Sequence, residues 1–118
     1  MMRSLCSLAL ILGTVGLAGT AAGQAAAPDY AAGKMVYGKW CAPCHDPGVI
    51  HPATNALGAK YKGVKAGVIL DWTDLPAPTV KYWVRTGISV MPHFRKTEIS
   101  DAELDALAAY LSRNTPSQ

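Results

Sequence analysis

Three features of the sequence predict an all-α domain of three to four short helices with long connections. Three stretches carry apolar residues at helical spacing, no run alternates apolar and polar residues, and 118 residues leave room for one domain at most. No internal repeat is visible.

The chain opens on a leader. Arg3 gives a short positive start, Leu5 to Ala18 is almost unbroken apolar, and Ala21-Ala22-Gly23 fits a small-x-small cleavage site. That order is a secretory signal peptide over residues 1–23, cleaved near Gly23. The apolar run falls short of the roughly 20 residues that a membrane anchor needs. A periplasmic mature chain, residues 24–118, with no stable membrane span is therefore expected. Cys6 leaves with the leader. The formal charge is +3, too mild to argue for a nucleic-acid partner. Lys60, Lys62 and Lys65 form a local basic run, which is ordinarily a solvated face.

The first mature helix begins after Asp29, a suitable N-cap, and presents Gly33, Val36, Tyr37 and Trp40 on one face. Pro43, Pro47 and Gly48 end its regularity. Residues 46–75 stay undecided: "DPGVIHPATNALG" is turn-rich, and "AKYKGVKAGVILDW" suits a short helical or an extended piece equally. A second helix starts around Pro76 and Pro78, shares Val80, Trp83 and Val84 on a face, and stops at Gly87. Residues 88–99 form a connection stiffened by Pro92. In the last helix Ser100 and Glu103 make a capping box, with Asp101 and Asp105 near the positive end of the dipole and Arg113 at the other end. Leu104, Leu107, Ala108 and Leu111 are its apolar stripe.

Two of the three cysteines lie in "WCAPCHDPG", residues 40–48. C-x-x-C-H is the attachment signature for c-type haem. On one helical turn Cys41, Cys44 and His45 stand at i, i+3 and i+4, so two thiols and an imidazole share a side. Three alternatives fit worse. A redox dithiol follows a strand and opens a helix, whereas here an amphipathic helix precedes the pair. Zinc needs four tetrahedral ligands, and nothing in the spacing of His51 or His93 recruits them. A disulfide between adjacent turns closes too small a loop to stabilise much. One covalently attached haem c, with His45 on its iron, is the expectation.

The sixth iron position decides between electron transfer and ligand binding. Met35 sits on the helix of Cys41 and is expected in the core. Met91 lies between two helices beside Pro92 and is placed to approach the opposite face. His93 is the rival, read as a surface or haem-rim residue, and His51 is too close to His45. Two neutral ligands favour the ferrous state.

Gly33 and Tyr37 before C-A-P-C-H, the Met91-Pro92 loop and "LAAYL" on the final helix resemble class I c-type cytochromes over residues 29–112. The resemblance implies first and last helices crossing near Gly33 and Tyr37. Leu107, Tyr110 and Leu111 would supply that crossing and the haem wall. It assigns Cys41 and Cys44 to thioethers, His45 to the proximal and Met91 to the distal position. It further implies that the Pro52 carbonyl accepts from the proximal imidazole, although the family's glycine before that proline is replaced by His51. Trp72 is either a donor to a haem propionate or packing at the haem edge. "VKYWVRTGISVMPHF" with "ISDAELDALAAYL" is similar to the small cytochrome subunits of flavocytochromes such as p-cresol methylhydroxylase. That likeness implies a flavoprotein dehydrogenase as electron donor. Arg85, Arg95 and Lys96 near the methionine loop suit propionates or an acidic partner, or else plain solvated surface.

An electron carrier is the leading expectation. A haem enzyme or ligand sensor with a labile sixth site is the alternative, and a haem-free dithiol oxidoreductase is a third.

Overall fold

The computed structural model describes residues 27–116. The proposed leader therefore lies outside the described residues. Five helices run in order: α1 Tyr30–Trp40, the single turn α2 Ala42–His45, α3 Pro52–Tyr61, α4 Ala77–Thr86 and α5 Asp101–Ser112. A 3-10 turn, Ile69–Asp71, precedes α4. No strand forms among the described residues, and the nearest approach is an isolated bridge between Ile88 and Met91.

The core is organised by the packing of α1 against α5 and of α4 against α5. Asp29 caps α1, accepting from the Ala32 N–H at 2.9 Å, which serves one of the donors a helix start leaves unpaired. Val36 and Tyr37 of α1 are buried with Leu104, Leu107, Ala108 and Leu111 of α5 and Val80 and Val84 of α4. Gly33 makes the α1–α5 crossing possible. A Cβ there would lie 2.6 Å from the Tyr110 Cβ and closer still to the Ala106 carbonyl oxygen. The Tyr37 and Tyr110 rings pack beside it, centroids 5.9 Å apart. The expected crossing near Gly33 and Tyr37 is thus present.

Met35 departs from expectation. It lies on the outer side of α1 and is 71% exposed, not in the core, because the inward positions of α1 are taken by Gly33, Val36 and Tyr37.

The undecided middle contains a helix that the residue pattern hides. In α3 only Thr54 is buried, so no apolar stripe announces it. Pro52 sits at its start, where a missing N–H costs nothing. Lys62 ends it in the left-handed conformation (φ 47°), and Gly63 follows at φ 82°. The returning chain passes close over α3 at Gly67, where a Cβ would meet the Thr54 carbonyl and the Gly58 backbone. Trp72 is buried, and its indole N–H donates to the Ala66 carbonyl at 2.6 Å. That donor is spent on the backbone, which removes the propionate role and leaves packing. Lys65 covers the Trp72 ring at 4.0 Å and pairs with Asp74 at 2.6 Å.

No helix among the described residues is long and apolar enough to cross a membrane.

Candidate functional site

The C-A-P-C-H segment is wound as one helical turn at the end of α1. The Cys41 N–H donates to the Tyr37 carbonyl at 2.8 Å, continuing α1 into the turn. The Cys41 carbonyl then accepts from Cys44 N–H at 3.1 Å and from His45 N–H at 2.9 Å. Pro43 fits because the first turn of a helix has no use for its amide hydrogen. Cys41, Cys44 and His45 therefore stand at i, i+3 and i+4 of continuous helical backbone, as the spacing requires.

Both thiols are free, Cys41 buried and Cys44 exposed. Burial, with Cys44 adding to it, pushes the Cys41 thiol up to about 12. The His45 ring is half-buried, and its Nδ1 is closed to solvent with no hydrogen-bond partner. Burial also holds the imidazole below its ordinary pKa, so it stays neutral. The expected acceptance of this nitrogen by the Pro52 carbonyl is not made: Pro52 opens α3, whose backbone carbonyls point along the helix. Tyr37 presents a second buried, unpartnered atom, its hydroxyl. Burial first, and then the Asp46 carboxylate, raises its pKa.

Three polar residues of the α3 start fasten the loop that leaves the motif. His51 Nδ1 lies 3.1 Å from the Pro43 carbonyl, Thr54 Oγ1 donates to the Asp46 carbonyl at 2.9 Å, and Asn55 Nδ2 donates to the Val49 carbonyl at 2.7 Å. Sequence reasoning missed their role. The signal was there in polar form, since His51, Thr54 and Asn55 are themselves spaced i, i+3, i+4 and so share one helical face.

Met91 is held from the other end of the chain. Gly87 closes α4 at φ 73°, and a Cβ there would meet the Met91 carbonyl at 2.8 Å. Residues 88–91 turn tightly, Ile88 and Met91 exchanging backbone bonds of 3.2 and 3.0 Å across Ser89 at φ 55°. Met91 emerges half-buried and packed against the cluster that contains Cys41. Three residues on, the Phe94 ring meets Trp40 edge to face, centroids 5.7 Å apart. Trp40 immediately precedes Cys41, so this contact brings the methionine loop beside the cysteine turn. His93 is exposed, as read from the sequence.

Arg85 and Lys96 are paired within the chain. Both engage Asp101, at 2.9 and 2.7 Å, while Arg95 faces Glu98 at 3.6 Å.

The residues fit a covalently attached haem on observations of this structure. Two unpaired thiols stand one turn apart, a neutral imidazole adjoins them with an orphaned ring nitrogen, and a thioether lies in the loop packed alongside. Beside them Trp40 and Phe94 are left only half-buried against the core, apolar surface suited to a flat macrocycle. Two surface concavities among the described residues, of about 350 and 330 Å³, are lined by none of Cys41, Cys44, His45 and Met91. Among the described residues, no group of three or more His, Cys, Asp or Glu forms a metal cluster.

Comparison with known proteins agrees with this geometry. The family described as cytochrome c oxidase, cbb3-type, subunit III matches residues 28–111. The chain is 37% identical over 93 residues to the 4-cresol dehydrogenase (hydroxylating) cytochrome c subunit of Pseudomonas putida, covering 78% of this chain and 69% of that one. No solved structure gives a significant match.

Proposed function

This chain belongs to the cytochrome c family, and on that premise we propose that it carries single electrons on one haem c, ligated by His45 and Met91. Its role is that of an electron carrier and not of an enzyme. The observation that carries the ligand assignment is the pairing of two chain segments. The turn bearing Cys41, Cys44 and His45 ends α1, and the Phe94–Trp40 contact lays the Met91 loop against it.

Haem c, when bound, supplies a one-electron iron couple. Cys41 and Cys44 hold it through thioethers, so it cannot be lost by dissociation. His45 offers a neutral imidazole, and Met91 a neutral thioether. Neither ligand adds charge, which favours the reduced state and raises the potential. Trp40 and Phe94 keep water from the site with apolar surface. With His45 and Met91 both on the iron, a bound haem would have no open position for small molecules, which favours electron transfer over ligand chemistry.

The electron donor in this reading is a flavoprotein dehydrogenase. Likeness to the cytochrome c subunit of a dehydrogenase supports it. The location is the periplasm, after cleavage near Gly23; the order of charge, apolar run and small residues in the leader supports that.

Pyridine haemochrome analysis of the exported protein is expected to show one covalent haem. The oxidised protein should show the far-red charge-transfer band of iron–sulfur(Met) ligation. Met91→Ala should lose that band and, once reduced, bind carbon monoxide readily. Survival of the band in Met91→Ala would refute the ligand assignment. A flavoprotein co-purifying with the native chain and reducing it in stopped flow would support the donor, and failure to reduce it would remove that donor.

A further inference from the structure

We propose that Arg85 is a positioning residue for the sixth iron ligand, clamping the loop that presents Met91 and so setting how readily that loop opens. The inference rests on the Met91 reading above and extends it to a residue of α4 whose hydrogen bonds run to Phe94 and Asp101.

The last turn of α4 grips Phe94 by both of its backbone polar groups. The Phe94 N–H donates to the Val84 carbonyl at 2.7 Å, and the Phe94 carbonyl accepts from Arg85 Nη1 at 3.0 Å. The other arm of the same guanidinium, Nη2, donates to Asp101 Oδ1 at 2.9 Å. Asp101 opens α5 and takes a further bond on Oδ2 from Lys96 at 2.7 Å. One side chain therefore ties three elements together: α4, the loop after Met91, and the start of α5. It is itself well covered, with its side chain 23% exposed.

The rest of the Met91–Phe94 stretch has little else to hold it. Pro92 lacks an amide hydrogen, Pro92 and His93 are exposed, and before them stands only the small Ile88–Met91 turn. The loop is pinned at the turn and at Phe94, and Arg85 ties that second point directly to Asp101 of α5. Lysine cannot replace it. A single ammonium has no fork to reach a carbonyl and a carboxylate in fixed directions, whereas the planar guanidinium does. Release of Phe94 also frees its ring from Trp40, so the loop could lift from the cysteine turn as a unit.

Opening is read by adding imidazole to the oxidised holoprotein and following loss of the far-red band. Net loss of a charge-assisted hydrogen bond corresponds to about ten- to hundredfold faster displacement in Arg85→Lys. Asp101→Asn, at an exposed site, should show a smaller increase in the same direction, and the double variant less than the product of the two. Val80→Ala serves as the control. It weakens the buried face of α4 away from the loop, so it should lower Tm without accelerating imidazole entry. Displacement rates in Arg85→Lys and Asp101→Asn equal to wild type would overturn the clamp, as would equal acceleration in Val80→Ala at matched Tm. Absence of the far-red band from the wild type itself would instead remove the Met91 reading, and the clamp with it.

Discussion

At Gly33 a single hydrogen atom sets how closely α1 and α5 approach. Any side chain there runs into the Ala106 carbonyl and Tyr110, and backbone cannot step aside as a flexible side chain can. Gly33→Val is expected to destabilise the holoprotein by about 2–4 kcal/mol through forced separation of the helices. Thermal unfolding checks it; an unchanged Tm would contradict the tight crossing. Positions like this were legible in sequence because they are small or apolar at regular spacing. So was the placing of Cys41, Cys44 and His45 on one helical turn. Residues whose role lies in what their polar ends reach were not. Trp72 spends its N–H on Ala66, and Arg85 on Phe94 and Asp101. Both bonds depend on where a loop returns, which spacing alone does not encode. Met35 failed for a related reason: helical periodicity places it beside the buried face but cannot say how wide that face is.

Among the elements, α1, α4 and α5 followed from stripes, caps and prolines, whereas α3 did not. Its one fully buried residue is Thr54, with Leu57 and Tyr61 only half-buried against the core, so hydrogen bonds to the loop after His45 add to a weak apolar face. Its end carries strain that a substitution can relieve. Lys62 adopts φ 47°, a conformation that costs a non-glycine residue roughly 1 kcal/mol. Lys62→Gly should raise stability by about 0.5–1 kcal/mol, measured by denaturant midpoint, and a fall would show that the lysine side chain contributes more than its backbone costs. The start of α5 makes a different prediction. Hydrogen bonds from Lys96 and Arg85 hold the Asp101 carboxyl below the ordinary range. The Arg95 N–H does the same for Glu98, and Ser100 for Glu103. Folded pKa values depressed below unfolded ones stabilise above the unfolded values, near pH 4, and that stability is lost as pH falls through the folded values. The junction of the methionine loop with α5 is therefore expected to loosen in acid. Hydrogen exchange at residues 94–101, rising below about pH 4 before that of α1, would show it; simultaneous exchange of both would argue against a local effect.

At the scale of the whole molecule, the proposed site has two halves contributed by distant parts of the chain. The sequence placed both halves, C-A-P-C-H and Met91-Pro92, but not the contact that joins them, because Trp40 and Phe94 meet only once α4 and α5 have packed. The α1–α5 crossing closes the chain nearly end to end, and this makes the backbone between them dispensable as a tether. The exposed turn at Lys62-Gly63-Val64 lies between one segment bearing Cys41, Cys44 and His45 and another bearing Met91. A chain cut there should stay associated, and two peptides split at that turn should complement one another. The iron would report the reunion: the fragment holding haem lacks its methionine, so the far-red band appears only when the second fragment docks.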